Sequence, residues 1–283
     1  MQPNHRRRQC QGQLQPGCTQ VQRRTLWSNS SNNPVPSMRE RVLLIPGLDG
    51  DPTLVQAAAP RLFQGMRVLP FDHSHDAMVG GVEGLAKRAL AVLDSDRDAD
   101  APALVCGESF GGTAALTLAR RYPERVRGLV LLSAFGWYPS VFACVPRLHL
   151  WLWRVLGDRW ARRLLGLWRP LTLPAALGWG CSSDLVRAYI RRPAVHLAGY
   201  RAKCEVALRF DARSWLDAIH CPTFILIGTW DPLVPTRAGF ELARRIPNAH
   251  LHQVVGGHLT HVARPTEVGK LIADWVATIQ AAA

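Results

Sequence analysis

The most informative segment of this 283-residue chain is Ala103-Leu104-Val105-Cys106-Gly107-Glu108-Ser109-Phe110-Gly111-Gly112. Its four apolar residues predict a buried strand, and the pattern Gly-x-Ser-x-Gly follows at the start of a helical segment. Glycines two residues before and after a serine let strand and helix approach at a tight turn, which exposes the serine hydroxyl. Ser109 is therefore a candidate nucleophile, and a serine that merely caps the helix is the other interpretation of this turn.

Short apolar runs alternate with helical patterns on both sides of this segment. The predicted strands are 42–45, 67–71, 103–106, 129–132, 223–227 and 250–255, and the predicted helices are 53–64, 82–94, 110–121, 237–245 and 266–280. Continuous apolar strands separated by helices are typical of a parallel sheet covered on both faces. We therefore expect an α/β fold with a mostly parallel sheet of about six strands flanked by helices.

Two residues after Ser109 suit the groups that activate a serine. Asp231 stands in a proline-containing turn after the predicted strand 223–227, and His258 lies in a glycine-rich loop before the last helix. A serine hydroxyl is a weak nucleophile that needs a base, which an acid orients. Turn formation is the alternative role of Asp231. His261 is the nearest competitor of His258, and we expect it to pack or hydrogen-bond locally.

These motifs, together with Ile45-Pro46-Gly47-Leu48-Asp49-Gly50 and Arg264-Pro265, make the chain resemble the serine esterases of the α/β-hydrolase superfamily from about residue 42 to 281. The resemblance implies that Ser109, Asp231 and His258 form a catalytic triad, and that the backbone N–H groups of Leu48 and Phe110 form the oxyanion hole. It also implies that no metal or organic cofactor is needed. The family often has His before the loop glycine, where this sequence has Pro46.

Residues 137–220 interrupt the alternation of strands and helices. They contain seven of the ten Trp and 13 of the 34 Lys and Arg residues. We interpret 38–136 and 221–283 as the α/β-hydrolase core and 137–220 as a helical Trp/Arg-rich lid, inserted after the strand that follows the nucleophile helix.

Within this insertion, residues 158–168 form a predicted amphipathic helix with Trp160, Leu164, Leu167 and Trp168 on one face. That face can pack on the core, line a hydrophobic substrate pocket or lie in an anionic membrane interface. Trp137, Trp160 and Trp168 are the candidate substrate-binding residues of the lid.

The formal charge of +13 comes from the insertion and from residues 1–38, which contain five Arg and no acidic residue. The polar composition of residues 1–37 predicts a disordered basic tail. A transit peptide and a translation start at Met38 are two further interpretations of this segment. No nucleic-acid-binding module is recognisable, so we expect no nucleic-acid partner.

Neither an export signal nor a membrane-spanning segment is evident, and seven Cys without a CxxC pattern suit a reducing compartment. We therefore expect a cytoplasmic protein.

The function expected from these observations is that of a carboxylesterase-like serine hydrolase, of EC class 3.1.1. Its substrate would be a small-molecule ester with an apolar acyl or alcohol group, cleaved through an acyl-enzyme on Ser109. A thioesterase, lactonase or C–C bond hydrolase would use the same triad, because specificity depends on the pocket. Two functions of a different class also fit: a hydrolase-like binding protein without turnover, and a peripheral membrane protein whose basic lid contacts the bilayer. The sequence does not indicate the oligomeric state.

Overall fold

The computed structural model describes residues 40–138, 144–177, 183–191 and 196–281. The predicted disordered tail, residues 1–37, lies outside the described residues. The strands are β1 (Arg41–Ile45), β2 (Arg67–Pro70), β3 (Ala103–Glu108), β4 (Val126–Leu132), β5 (Thr223–Gly228) and β6 (Ala249–Val254). The helices are α1 (Thr53–Leu62), α2 (Gly81–Asp94), α3 (Gly111–Arg121), α4 (Cys144–Leu177), α5 (Ser183–Arg191), α6 (Leu197–Ala207), α7 (Thr236–Arg245), α8 (Thr260–Ala263) and α9 (Pro265–Ala281).

The six strands form one sheet in the order β2-β1-β3-β4-β5-β6, and all five neighbouring pairs are parallel. The predicted parallel sheet of about six strands is therefore confirmed. The chain leaves β1 toward one edge of the sheet to form β2, and then returns to place β3 on the other side of β1. Ligands of open α/β sheets bind at such a reversal, beyond the carboxyl ends of the strands.

Apolar residues of the strands alternate between two cores, one on each face of the sheet. Leu43 and Ile45 of β1 face α2, α3 and α7, whereas Val42 and Leu44 face α1 and α9. All four side chains are fully buried, which explains why the strands form continuous apolar runs in the sequence. In the predicted last helix, the apolar residues Val268, Ile272, Trp275 and Val276 are buried, and Leu271 and Ile279 are half-buried.

The described part of the insertion consists of α4, α5 and α6. α4 is interrupted at Gly157, whose φ of 75° and ψ of 177° are not helical, so a second helical segment starts at Asp158. This agrees with the predicted start of a helix at 158.

In this second segment, Ala161 rather than Trp160 is buried. Ala161 is buried and Leu165 half-buried in a small cluster with Trp153 and Leu197, whereas the Trp160 side chain is 49% exposed. The side chains of Leu164, Leu167 and Trp168 lie outside the described residues. The interpretation of the insertion as a lid remains a prediction. Within the described part of the chain, every helix is too short or too polar to cross a membrane.

Candidate active site

Ser109 lies in a strained turn between β3 and α3. Its φ of 49° is in the left-handed region, which costs an L-residue with a side chain roughly 1–2 kcal/mol. Its N–H donates to the carbonyl of Leu132 (2.9 Å), and its own carbonyl accepts from the N–H of Gly112 (3.0 Å). A Cβ atom on Gly107 would lie 2.6 Å from the Cα of Gly112, so the strand and helix approach at a distance that only glycine permits. The packing of the turn therefore maintains the strained backbone and presents the serine side chain at the carboxyl end of the sheet.

Asp231 and His258 form a buried hydrogen-bonded pair at the carboxyl end of the neighbouring strands. The Nδ1 atom of His258 lies 2.7 Å from Oδ2 of Asp231, and the two side chains are 9% and 2% exposed. The other carboxylate oxygen of Asp231 accepts from the N–H groups of Leu233 and Val234, both at 2.9 Å. Because Asp231 is held by its own turn, its carboxylate can hold Nδ1 protonated and leave Nε2 of His258 as the proton acceptor.

The end of β4 connects the serine turn to the histidine loop. Leu132, the last residue of β4, accepts the N–H of Ser109, and the hydroxyl of the next residue, Ser133, donates to the carbonyl of His258 (2.7 Å). Ser133 also has a positive φ, 48°. The structure thus brings the three predicted residues, which come from distant parts of the chain, to one edge of the sheet.

Two opposing influences act on the pKa of His258. Burial is the larger single influence and lowers the pKa, but the charge and the hydrogen bond of Asp231, with smaller contributions from Glu108 and Asp49, raise it. The result is a pKa above the ordinary value of 6.5. His258 is therefore a stronger base than a free imidazole, which suits the removal of a proton from a serine hydroxyl.

Leu48 and Phe110 are the predicted backbone donors of the oxyanion hole. Phe110 is the residue before the first turn of α3, where helix N–H groups have no partner within the helix and the helix dipole favours negative charge. Leu48 lies in the turn after β1, which the N–H of Gly50 closes by donating to the carbonyl of Gly47 (3.0 Å). A Cβ atom on Gly47 would lie 3.6 Å from Cβ of Ser109, so this turn is adjacent to the serine.

The turn after β1, residues 46–50, is anchored by two buried groups. The Nε2 atom of His73, which follows β2, lies 3.1 Å from the carbonyl oxygen of Pro46. The backbone N–H of His73 donates to the carbonyl of Gly50 (3.0 Å). Lys203 of α6 is fully buried, and its ammonium donates to the carbonyls of His73 (2.7 Å), Ser74 (3.3 Å) and Asp49 (3.4 Å). Burial lowers the pKa of the Lys203 ammonium to about 8.

The sequence interpretation did not include Lys203. A signal was present, because the chain has only three Lys among its 34 basic residues, and Lys203 is the one Lys of an insertion otherwise rich in Arg. A compact ammonium with three rotatable donors fits a cage of carbonyl oxygens, which the planar guanidinium of Arg does not.

His261, the competitor of His258, is fully buried, and its Nε2 lies 3.4 Å from Oε1 of Glu108. His261 thus lies beside the serine turn, next to the carboxylate of Glu108, whereas His258 pairs with Asp231.

Trp137 and Trp160, two of the three candidate lid residues, have separate environments. The half-buried ring of Trp137 lies between the guanidinium groups of Arg213 (4.8 Å) and Arg237 (4.9 Å). Trp160 is exposed beneath the guanidinium group of Arg163 (5.2 Å). The side chain of Trp168 lies outside the described residues, so a shared substrate surface of the three Trp remains a prediction.

Comparison with known proteins agrees with this fold and geometry. A family model described as serine aminopeptidase, S33 (Hydrolase_4) matches residues 86–263. A pimeloyl-[acyl-carrier protein] methyl ester esterase from Aromatoleum aromaticum is 30% identical over 252 residues, which are 84% of this chain and 98% of that protein. A poly(3-hydroxyalkanoate) depolymerase from Ectopseudomonas oleovorans is 29% identical over 82% of both chains.

Among solved structures, the enol-lactonase from Burkholderia xenovorans superposes with a TM-score of 0.68, at 23% identity, over 84% of this chain and 91% of that chain. A serine at a tight turn between a parallel strand and a helix is the nucleophile elbow of the α/β hydrolases. The chain belongs to this superfamily and, within it, to the S33 family of hydrolases.

Proposed function

We propose that the protein is a serine hydrolase that cleaves carboxylic esters through an acyl-enzyme on Ser109. The observation that carries this proposal is the buried Asp231–His258 pair, joined through the end of β4 to the strained turn of Ser109. Relatives named as a methyl ester esterase and a polyester depolymerase support ester chemistry.

The proposed mechanism assigns one step to each group. Nε2 of His258 accepts the proton of the Ser109 hydroxyl as its oxygen attacks the ester carbonyl, and Asp231 stabilises the imidazolium that forms. The N–H groups of Leu48 and Phe110 bind the developing oxyanion, and each such donor contributes roughly 10²–10³-fold in rate. The imidazolium then protonates the leaving alkoxide, and the same histidine activates the water that hydrolyses the acyl-enzyme.

An apolar acyl or alcohol group is the substrate feature we propose. The supporting observation is the composition of the insertion, which contains seven of the ten Trp residues and begins with Trp137, four residues after Ser133. Large aromatic side chains favour ligands that bury apolar surface.

The test is hydrolysis of a p-nitrophenyl ester series, from acetyl to long acyl chains, by the wild-type protein and Ser109→Ala. We expect turnover with an optimum in chain length, and a loss of roughly 10⁴–10⁶-fold in kcat for Ser109→Ala, because the nucleophile is absent. Ser95→Ala, which alters an exposed serine at the end of α2, is the matched control and should retain full activity. Turnover by Ser109→Ala at the wild-type rate would refute the mechanism.

The same triad could act on a thioester, a lactone or a C–C bond, and a solved lactonase shares the fold. A parallel assay with acyl thioesters and lactones separates these activities from ester hydrolysis. Labelling of Ser109 by a fluorophosphonate distinguishes all of them from a binding protein without turnover, in which the serine would stay unlabelled.

A further inference from the structure

The insertion presents an apolar surface to which the proposed mechanism assigns no step. Five large apolar side chains of α4 are between 42% and 61% exposed: Leu148, Trp151, Val155, Leu156 and Trp160. We call these five residues the α4 patch. Soluble proteins rarely leave large apolar side chains adjacent to one another in water, and such surfaces mark sites of interaction.

The helical geometry places most of the α4 patch on the outer side of α4. At 100° per residue, Leu148, Trp151 and Val155 lie within a stripe about 60° wide. Leu150 and Trp153 lie on the opposite side and are 7% and 2% exposed, and the Trp153 ring stacks on Tyr200 of α6. The inner face is therefore already packed on the insertion, while the outer face has no comparable burial.

Positive charge surrounds the α4 patch. Arg147, Arg154, Arg159, Arg162 and Arg163 are all exposed. Asp158 is the one acidic residue between positions 144 and 177, and its carboxylate accepts the indole N–H of Trp153 (2.7 Å). On the helical wheel, Arg147 and Arg154 border the stripe of Leu148, Trp151 and Val155. Arg154 also pairs with Glu205 of α6 (3.3 Å), whereas Arg147 is exposed.

We propose that the α4 patch binds the surface of an anionic phospholipid bilayer, with α4 lying parallel to the membrane plane. The combination of Trp and Leu on one face with Arg along its border is the pattern of interfacial helices. Indole rings partition to the level of the headgroups, and guanidinium groups bind phosphate oxygens there.

The charge of the α4 patch disfavours a second copy of the chain as its occupant. In a symmetric dimer, the same surface meets itself, so Arg147 and the other exposed Arg near the patch in one copy would approach their equivalents in the other copy. Like charges opposed across an interface are destabilising, whereas anionic lipid headgroups neutralise them.

Co-sedimentation with vesicles tests the proposal on the full chain. Vesicles of phosphatidylcholine alone are compared with vesicles of phosphatidylcholine and phosphatidylglycerol. We expect clear binding to the mixed vesicles only, and weaker binding as salt is raised. Ser109→Ala should bind as the wild type does, so the result is independent of whether the protein hydrolyses esters.

Two sets of variants locate the binding surface. L148S/W151S/V155S should weaken binding at least about tenfold through lost apolar burial, and R147Q/R159Q roughly 25-fold, at about fivefold per charge. The matched controls are Phe240→Ser, an exposed apolar residue of α7, and R97Q/R244Q, which removes two exposed charges elsewhere. The controls should bind as the wild type does. Because Arg147 and Arg159 are exposed, their substitution should leave the thermal midpoint unchanged.

Three outcomes would overturn the proposal. The first is failure of the wild type to bind either kind of vesicle. The second is unchanged binding of both sets of α4 variants, which would assign the lipid contact to another basic segment such as residues 1–38. The third is a concentration-dependent oligomer in solution that the α4 variants dissociate, which would make a second copy the occupant of the α4 patch.

Discussion

At the scale of single residues, the proposed base makes a prediction about pH. Because the pKa of His258 is raised above 6.5, the neutral imidazole that accepts the serine proton is lost at a higher pH than in an ordinary histidine. We expect kcat/KM to fall as the pH is lowered through a midpoint above 6.5. The measurement is a pH–rate profile of ester hydrolysis, with product read at a single fixed pH.

Asp231→Asn tests the cause of this raised pKa. Removal of the carboxylate charge should move the midpoint downward and reduce kcat by about 10⁴-fold, because the imidazole is no longer held in the required tautomer. Asp217→Asn, at an exposed position, is the control and should leave both quantities unchanged. A midpoint that stays in place in Asp231→Asn would show that another group determines the profile.

The sequence allowed Ser109, Asp231 and His258 to be predicted together because each follows a recognisable strand, and strand ends of a parallel sheet share one edge. It did not allow the contacts of Lys203 to be predicted, since its acceptors, at Asp49, His73 and Ser74, are at least 129 residues away in the chain. Such a contact depends on where α6 docks, which no local pattern encodes.

At the scale of secondary-structure elements, Lys203 connects α6 of the insertion to the turn that carries Leu48. Lys203→Met removes the donors that hold this turn, so we expect kcat to fall about 10- to 100-fold through displacement of the Leu48 N–H, with little change in KM. Steady-state kinetics on a short-chain ester measure both constants. Lys270→Met, an exposed position on α9, is the control. A KM effect without a kcat effect would indicate that α6 contacts the substrate instead.

Lys203 also has a signature in stability. Its pKa is about 8 in the folded chain and 10.5 as the ordinary value, so the unfolded chain binds more protons between these two pH values. The free energy of unfolding of the wild type, relative to Lys203→Met, should therefore rise with pH from about 8 to 10.5, by up to about 1.4 kcal/mol per pH unit. Denaturant unfolding of both proteins across this range measures the difference. A constant difference would contradict the lowered pKa of Lys203.

The insertion shows how far an amphipathic pattern can be interpreted from sequence. The pattern predicted a helix from Asp158, and the break at Gly157 agrees with it. The pattern left open whether the face of Trp160 packs on the core, and in the structure Ala161, the next residue in the chain, is the buried one. Periodicity identifies two chemically different faces, but the neighbouring helix determines which of the adjacent residues fits the contact.

At the scale of the whole molecule, Glu40 joins the two ends of the described core. Its buried carboxylate pairs with Arg127 at the start of β4 and accepts from Nε2 of Gln280 in α9 (3.0 Å), 240 residues away. Glu40→Ala should lower the free energy of unfolding by about 1–3 kcal/mol through loss of charge-assisted hydrogen bonds. Chemical denaturation measures this change.

The exposed pair of Glu83 and Arg121 provides the matched control. Glu83→Ala should change stability little, because solvent screens an exposed ion pair. Equal effects of Glu40→Ala and Glu83→Ala would show that burial of the Glu40 carboxylate adds nothing to the pairing. Neither variant should alter kcat, since both residues lie away from the proposed site.

The order of strands along the chain has a consequence for refolding. β1 to β4 are consecutive in the sequence and form one contiguous block of the sheet, and the turns after them include Leu48 and Ser109. β5, in contrast, pairs with β4 only across the whole insertion. Asp231 follows β5 and His258 follows β6, so the nucleophile belongs to the block of β1 to β4 and the base to the block of β5 and β6. The loop closure between β4 and β5, which joins the two blocks, is the longest in the sheet. It is therefore entropically and kinetically the most demanding. Secondary structure in a refolding chain should therefore return before serine-dependent turnover. The recovery of turnover would then measure the rate of the last docking step.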